Sequence, residues 1–444
     1  MCAVMTYSAY WLVPFVGTLL SVALFPVIKP DFWHKNSGKV FLFWSLLICI
    51  ALGIQHGAYE LTLLVRDVIL SKFLSFIVLI SSLYIITGGI YFTVESKVTA
   101  TVNVAIVGTG ALIASWIGTT GAAMLMIRPL LRLNAERKHK VHLVMFFIFL
   151  VANIGGGATP IGDPPLFVGF LSGIDFFWPL RCLSNVVYPV VAAMLGILYL
   201  IDSYLLKKET VEYKQNDACK AQVKIKGKRN ILLLMIAVLS VMLSGIIHSG
   251  SITIIGITLP IASVARDCIL IGLALTSLTI TPQYIHYHNG FSFDPLKEVN
   301  ELFIAIFLTL IPVEHMLHMG ADGPFGSLFN WLSQNETFSP VKCFWLAGAL
   351  SSVLDNAPTY LTFFHLAGGN PHYLMTDGCD ILKAISLGSV FFGAMTYIGN
   401  APNFMIKSIA QRYSYKMPSF LGYMKWSGAM LLPVFIILAL ILFR

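Results

Sequence analysis

The chain has 444 residues, of which 57% are hydrophobic and only 11% charged, with a mean hydropathy of +0.80; an ordinary soluble domain carries about 25% charged residues. That composition excludes a large soluble domain and marks an integral membrane protein. The net charge of +8 would suggest nucleic acid in a soluble chain, but here the basic residues sit in short loops between apolar runs, where they set topology.

In chain order, the first apolar run, "YWLVPFVGTLLSVALFPVI" (10–28), is longer than a signal-peptide core. It has no basic n-region and no A-x-A-like cleavage site, so it reads as a retained span. "VFLFWSLLICIALGI" (40–54) and "FLSFIVLISSLYIITGGIYF" (73–92) follow; about 20 apolar residues suffice to cross ~30 Å of hydrocarbon. The next element differs. "ASWIGTTGA" (114–122) is small and polar inside an apolar run, and after the basic loop "RPLLRLNAERKHK" (128–140) comes "NIGGGATPIGDPPLF" (153–167), with three consecutive glycines, three prolines and an aspartate. "VVYPVVAAMLGILYLI" (186–201) completes the first half.

The longest polar linker, "KKETVEYKQNDACKAQVKIKGKR" (207–229), holds eight Lys/Arg against three acids, while 128–140 holds five against one. Both face the cytoplasm by the positive-inside rule, together with Lys29, Lys35 and Lys39. The linker divides the chain into an N-terminal membrane repeat (1–206) and a C-terminal one (230–444). The second half contains "ILLLMIAVLSVMLSGII" (231–247), "LFIAIFLTLIPV" (302–313), the interrupted stretches "SSVLDNAPT" (351–359) and "GAMTYIGNAPNF" (393–404), and "MLLPVFIILALILF" (430–443). The pattern predicts an all-α polytopic fold of roughly ten to thirteen membrane elements.

The halves repeat. A shift of 237 residues sets Gly156, Thr159, Ile161, Gly162, Pro165 and Phe167 on Gly393, Thr396, Ile398, Gly399, Pro402 and Phe404, six identities in twelve positions. Chance would give about one. The same shift lays 114–122 on 351–359, with Ser115 over Ser352 and Thr119-Thr120 over Asn356-Ala357. Each half thus has a polar-tipped segment and then a Gly/Pro-interrupted one.

Every unpaired N–H or C=O in hydrocarbon costs several kcal/mol, so irregular backbone survives there only where protein, water or a solute satisfies it. Two half-helices meeting at a break present opposite dipole ends near mid-bilayer, the pattern of secondary transporters. The alternative is a pair of proline kinks. Gly155, Gly156, Gly157, Gly162, Gly393 and Gly399 are expected to hold backbone close to the site, by close approach or by left-handed φ.

Asp163 and Asp355 lie inside these segments, and an intramembrane carboxylate is a functional candidate by default. It can take a cation when ionised or a proton when neutral. The bland alternative is that each caps the helix that follows it. Asn153, Thr119, Thr120, Thr159, Asn356, Thr359, Thr396, Asn400 and Asn403 add the uncharged oxygens that hard cations prefer. No Lys or Arg occurs in 141–167 or 386–404, so the fixed charges there attract a monovalent cation and repel a multiply charged anion.

Other clusters carry less. "EHMLH" (314–318) lacks the HExxH order and reads as an interfacial group at a helix end, and "HYH" (286–288) reads as a loop in an interface belt. "GTG" (108–110) lacks the rest of a dinucleotide fingerprint, and no Walker A or GxSxG stretch occurs. Seven scattered cysteines (2, 49, 182, 219, 268, 343, 379) without CxxC spacing read as packing residues. No cofactor is expected, and no nucleophile or metal constellation supports an enzyme.

"GTTGAAMLMIRPLLRLN" (118–134), "NIGGGATPIGDPPLF", "FSFDPLKEVNELFIAIFLTLIPV" (291–313), "SSVLDNAPTYLTFFHLA" (351–367) and "GAMTYIGNAPNFMIKSIA" (393–410) resemble the ion transporter superfamily. Within it they are most similar to the bacterial branch of citrate transporters and sodium:proton antiporters, akin to NhaD-type proteins. The resemblance covers nearly the whole chain and implies two inverted repeats, each with a re-entrant hairpin and a broken transmembrane helix. Carried over by position, Thr119 and Thr120 form the first tip, Asn153 to Asp163 the first break, Asp355 to Thr359 the second tip and Thr396 to Asn403 the second break. The divalent-anion/sodium symporters of the superfamily carry a Ser-Asn-Thr tip in both hairpins; "GTT" and "DNAPT" depart from it, which weakens a dicarboxylate reading. Members are often homodimers.

The expected function is therefore secondary transport in the inner (plasma) membrane. Sodium and proton act as coupling ions, exchanged through Asp163 and Asp355 as the candidate sodium ligands. The alternative is sodium- or proton-coupled uptake of a small organic anion such as citrate, with arsenite efflux a remoter variant. A membrane enzyme or scaffold is the third class.

Overall fold

The computed structural model describes residues 7–209, 222–247, 250–334 and 337–443. Cys2, Cys219 and most of the basic linker lie outside the described residues. Among those described the chain is mostly helical, and eight helical stretches are long and apolar enough to cross a membrane. The higher count expected from sequence also takes in the shorter helices around the tips and breaks, whereas the eight already include 141–158 of the first interrupted helix.

Helix α1 (Val13–Ile28) is followed by α2 (Pro30–Val68), which bends where Gly57 takes φ +85°. A π-turn over Ile69–Phe73 leads to α3 (Leu74–Gly88), which runs into β1 (Tyr91–Glu95). Thr99 then caps α4 (Ala100–Ile117), its hydroxyl accepting from the Val102 amide at 3.2 Å. At Gly118, with φ +81°, the chain turns into α5 (Thr119–Leu133). Arg132, in the last turn of α5, reaches the Tyr91 hydroxyl in β1 at 2.7 Å. Helices α4 and α5 thus begin and end beside β1, and Gly118 is their far tip.

The next helix, α6 (Val141–Leu150), gives way to irregular backbone over 151–163 with a 3-10 turn at Ile154–Ala158, and α7 (Pro164–Leu171) resumes beyond it. Helices α8 (Trp178–Cys182) and α9 (Ser184–Lys207) lead to the linker, whose last part is β2 (Gln222–Lys226), paired antiparallel with β1. The β1–β2 ribbon carries the end of the basic linker and lies at the Gly88 end of α3, with Lys72 at the other end.

In the second half α10 (Lys228–Ile246), a ribbon of β3 (Ser251–Ile254) and β4 (Ile257–Pro260), and α11 (Ile261–Ile280) precede α12 (Gln283–Asn289) and α13 (Asp294–His318). The "HYH" motif is thus helical rather than a loop, with His286 packed on Phe291. After α14 (Gly326–Leu332) come α15 (Pro340–Ser351) and α16 (Asn356–Leu366), joined by the turn that holds Asp355. Then α17 (Pro371–Met375), α18 (Cys379–Phe392), irregular backbone over 393–400, α19 (Ala401–Arg412) and α20 (Phe420–Leu442) complete the chain.

The two interrupted helices run in opposite directions. Lys140, just before α6, stacks over Tyr415, just after α19, and the Tyr415 hydroxyl donates to the Leu131 carbonyl at 2.9 Å. At the other end the Asp175 amide, just after α7, reaches the Met375 sulfur, just before α18, at 3.2 Å. They cross at the centre of the array: 94% of residues 141–158 are buried, whereas α10, α11 and α20 leave most of their apolar residues at least partly exposed, as helices at a lipid boundary do.

One expectation about charge is corrected. The loop 128–140 is not simply a solvated topology signal, because Arg137 and Asp202 of α9 pair at 2.6 Å with neither side chain exposed. His142 and Asn103 also reach Asp202, at 2.9 and 2.8 Å, and Asn103 exchanges amide hydrogen bonds with Asn134. Buried charges survive when paired and hydrogen-bonded, and this network clamps the loop between α5 and α6 to the end of α9.

Candidate functional site

The first break is built on glycine for want of space. A Cβ on Gly155 would stand 2.5 Å from the Ala111 and Leu150 carbonyl oxygens, and one on Gly162 would stand 2.1 Å from the Gly156 oxygen. None of Gly155, Gly156 and Gly157 has positive φ, so close approach alone explains them and the left-handed alternative drops out. Thr159 donates its hydroxyl to the Ser115 carbonyl, and Ser115 donates to the Gly155 carbonyl at 2.6 Å while accepting from the Ala158 amide at 3.2 Å. These bonds satisfy backbone groups that the broken helix leaves open.

The second break repeats this at an offset of 237. Thr396 donates to the Ser352 carbonyl at 2.6 Å, as Thr159 does to Ser115. A Cβ on Gly399 would lie 2.8 Å from the Gly393 oxygen, as Gly162 faces Gly156. The breaks are also stitched to each other. Asn153 donates to the Asn403 side-chain oxygen at 2.8 Å and accepts from Asn400 at 3.2 Å, while Asn403 donates to the Gly393 and Thr396 carbonyls at 2.7 and 2.9 Å.

Asp163 is where these segments meet. Its Oδ1 accepts from the Thr119 hydroxyl at 3.1 Å and from Asn400 Nδ2 at 3.3 Å, and its Oδ2 accepts from Asn356 Nδ2 at 2.5 Å. The donors come from the first tip, the second break and the second tip. Hydrogen bonds to a charged group contribute about 1.5–3 kcal/mol each, so three of them offset much of the cost of a carboxylate that is 1% exposed. The capping alternative does not hold for Asp163, which makes no side-chain cap bond to α7. Asn356 donates through Nδ2, and its Oδ1 is buried without a hydrogen-bond partner among the described residues.

Asp355 is arranged otherwise. Its carboxylate caps α16 by accepting from the Ala357 amide at 3.1 Å, and its carbonyl accepts from Thr359 at 3.0 Å. Of the two aspartates singled out from sequence, one gathers the motif segments and the other starts a helix. Thr120 lines a cavity of about 50 Å³ between α3, the first turn of α5 and the first break, with Thr119, Asp163 and Phe167. None of its lining residues is Lys or Arg. It has room for a few waters.

Sequence reasoning passed over Ser115 as a site residue, although its alignment with Ser352 under the shift was the available signal. It also passed over Tyr360, whose hydroxyl would lie 2.4 Å from a Cβ on Gly169 and so locks α16 against α7.

No curated protein matches the chain. Among family models, the one described as "Putative citrate transport" matches residues 4–443. That span takes in both tips, both breaks and every membrane-crossing helix, so the chain belongs to this family of transporters.

Proposed function

We propose that the protein is a secondary transporter of NhaD-like type that exchanges sodium for protons at Asp163, working in the plasma membrane through two inverted repeats. The observation that carries this reading is the Asp163 carboxylate, buried among three neutral donors from both tips and the opposite break, beside a small cavity without a basic residue. Sodium and a proton compete for one carboxylate. When sodium is bound, Asp163 supplies the charge and the free Asn356 oxygen is a neutral ligand within reach. When Asp163 is protonated, its O–H needs an acceptor, which Asn356 provides by turning its amide. The opposed directions of the two broken helices and the recurrence of contacts at offset 237 support the inverted arrangement.

A second reading, cation-coupled citrate uptake, is favoured by the description of the matched family. It would place a multiply charged anion beside Asp163 in a cavity that no basic residue lines. Liposomes containing the protein and a pH dye separate the two: sodium or lithium alone is expected to evoke proton movement. Labelled citrate entry with no cation-evoked proton flux in its absence would replace the first reading by the second.

A further inference from the structure

The "EHMLH" stretch does more than end a helix. His318 Nε2 lies 3.2 Å from His365 Nδ1, and His365 Nε2 lies 3.1 Å from Glu314 Oε1, which is also held by Lys72 at 2.7 Å. His318 ends α13, and His365 stands in the last turn of α16. Two helix C-termini therefore converge on one imidazole pair. Gly369, with φ +64°, closes over it so tightly that a Cβ would lie 2.7 Å from His318 Cε1 and 3.2 Å from His365 Nδ1.

We propose that the His318–His365 pair binds one proton from the side opposite the β1–β2 ribbon and, when protonated, fastens the helix of the second tip to α13. The bonding has two states. With one added proton, His365 presents N–H groups to both Glu314 and His318, and the cation sits at the negative ends of two helix dipoles. Without it, His318 can donate to His365 Nδ1 and His365 to Glu314 as neutral hydrogen bonds, and the charge attraction to Glu314 and to the helix ends is lost. A second proton would place two cations in contact.

The surrounding groups allow this balance. Glu314 draws the proton in, whereas burial, Lys72 from the π-turn and His315 from α13 oppose it. On the side of α2 and the N-terminal segment, His56 bonds the Tyr7 hydroxyl at 3.1 Å, and Tyr7 packs on His315. Helix α1 has no ionisable residue, and Tyr84 of α3 is bonded to the Ser292 carbonyl. Around α16, α7 has none either, Lys342 of α15 stacks on Trp331, and Asp380 and Lys383 of α18 pair with each other. Glu314 and Lys72 keep 21% and 30% of their side chains exposed, so protons have access. Helix α16 spans about 15 Å at ~1.5 Å per residue, which places the histidines near the surface opposite the β1–β2 ribbon and Asn356, at its other end, on Asp163.

Hydrogen–deuterium exchange on peptides covering 356–366, in the full chain in nanodiscs without sodium, tests this independently of any transported solute. After correction for intrinsic rates, α16 is expected to be several-fold better protected at pH 5.5 than at pH 8. His365→Gln and His318→Gln should each remove the difference by leaving α16 weakly protected at both values. His365→Lys, with its permanent charge, should keep it protected at both. Equal protection of the unmodified protein at the two pH values would overturn the proposal, as would a difference that survives in the Gln variants or in His365→Lys.

Discussion

Asp163 and Asn400 are separated by 237 residues, the offset that relates the two halves, and they touch: Asn400 Nδ2 donates to Asp163 Oδ1 at 3.3 Å. Thr119 and Asn356, the tip residues separated by the same 237, both donate to that carboxylate as well. Equivalent positions of the two halves converge on one point, and only one of the four residues is ionisable.

The two aspartates should separate cleanly on mutation. Asp163→Asn is expected to reduce cation-evoked proton flux in liposomes by about 100-fold or more, since no titratable group replaces the carboxylate. Asp355→Asn should stay within about threefold of the unmodified protein, because Asn caps a helix as well as Asp. Asp355→Ala should cost about 1 kcal/mol of stability. Loss of flux in Asp355→Asn with the protein intact would give Asp355 an ion-binding role beyond its cap.

Glycine replacements should follow space rather than position. Gly162→Ala places a methyl group 2.1 Å from the Gly156 oxygen and is expected to abolish transport. Gly196→Ala in α9 meets nothing within 4 Å and should be neutral or stabilising, by up to about 1 kcal/mol. Flux and thermal unfolding of the two variants, measured side by side, check this.

The crossing of the two halves fixes which residues share a face. In a chain freed of native cysteines, Lys138→Cys and Gln411→Cys are both expected to react with a membrane-impermeant maleimide from the side of the basic linker, and Asp377→Cys from the other side. All three positions are exposed. Labelling of Lys138→Cys and Asp377→Cys from one side would contradict the inverted arrangement.

Removing Asp202 leaves Arg137 buried with Glu209, 3.9 Å away, as its counter-charge. Asp202→Ala is therefore expected to destabilise the protein by about 2–4 kcal/mol, seen as a lower unfolding temperature in detergent.

Much of this was legible in the sequence because membrane chemistry leaves few uses for glycine, proline and aspartate inside apolar runs. The repeat at offset 237 pointed to both breaks, and the polar tips followed from it. The roles of the two aspartates could not be read, since each precedes a helix start and the cap signal is the same for both. What distinguishes them is tertiary: Asp355 finds the Ala357 amide, whereas Asp163 is followed by Pro164 and Pro165, which lack N–H donors, and turns to partners about 200 residues away. The histidine pair joins residues 47 positions apart, beyond any local pattern.

On the proposed function, sodium and a proton compete for Asp163. Adding sodium to purified protein in weakly buffered detergent near neutral pH, and reading the proton released per sodium bound, tests it without a membrane or a gradient. Release that approaches one proton per sodium as the pH falls, absent in Asp163→Asn, is the expected result. Sodium binding without proton release at any pH, or equal release from Asp163→Asn, would contradict it.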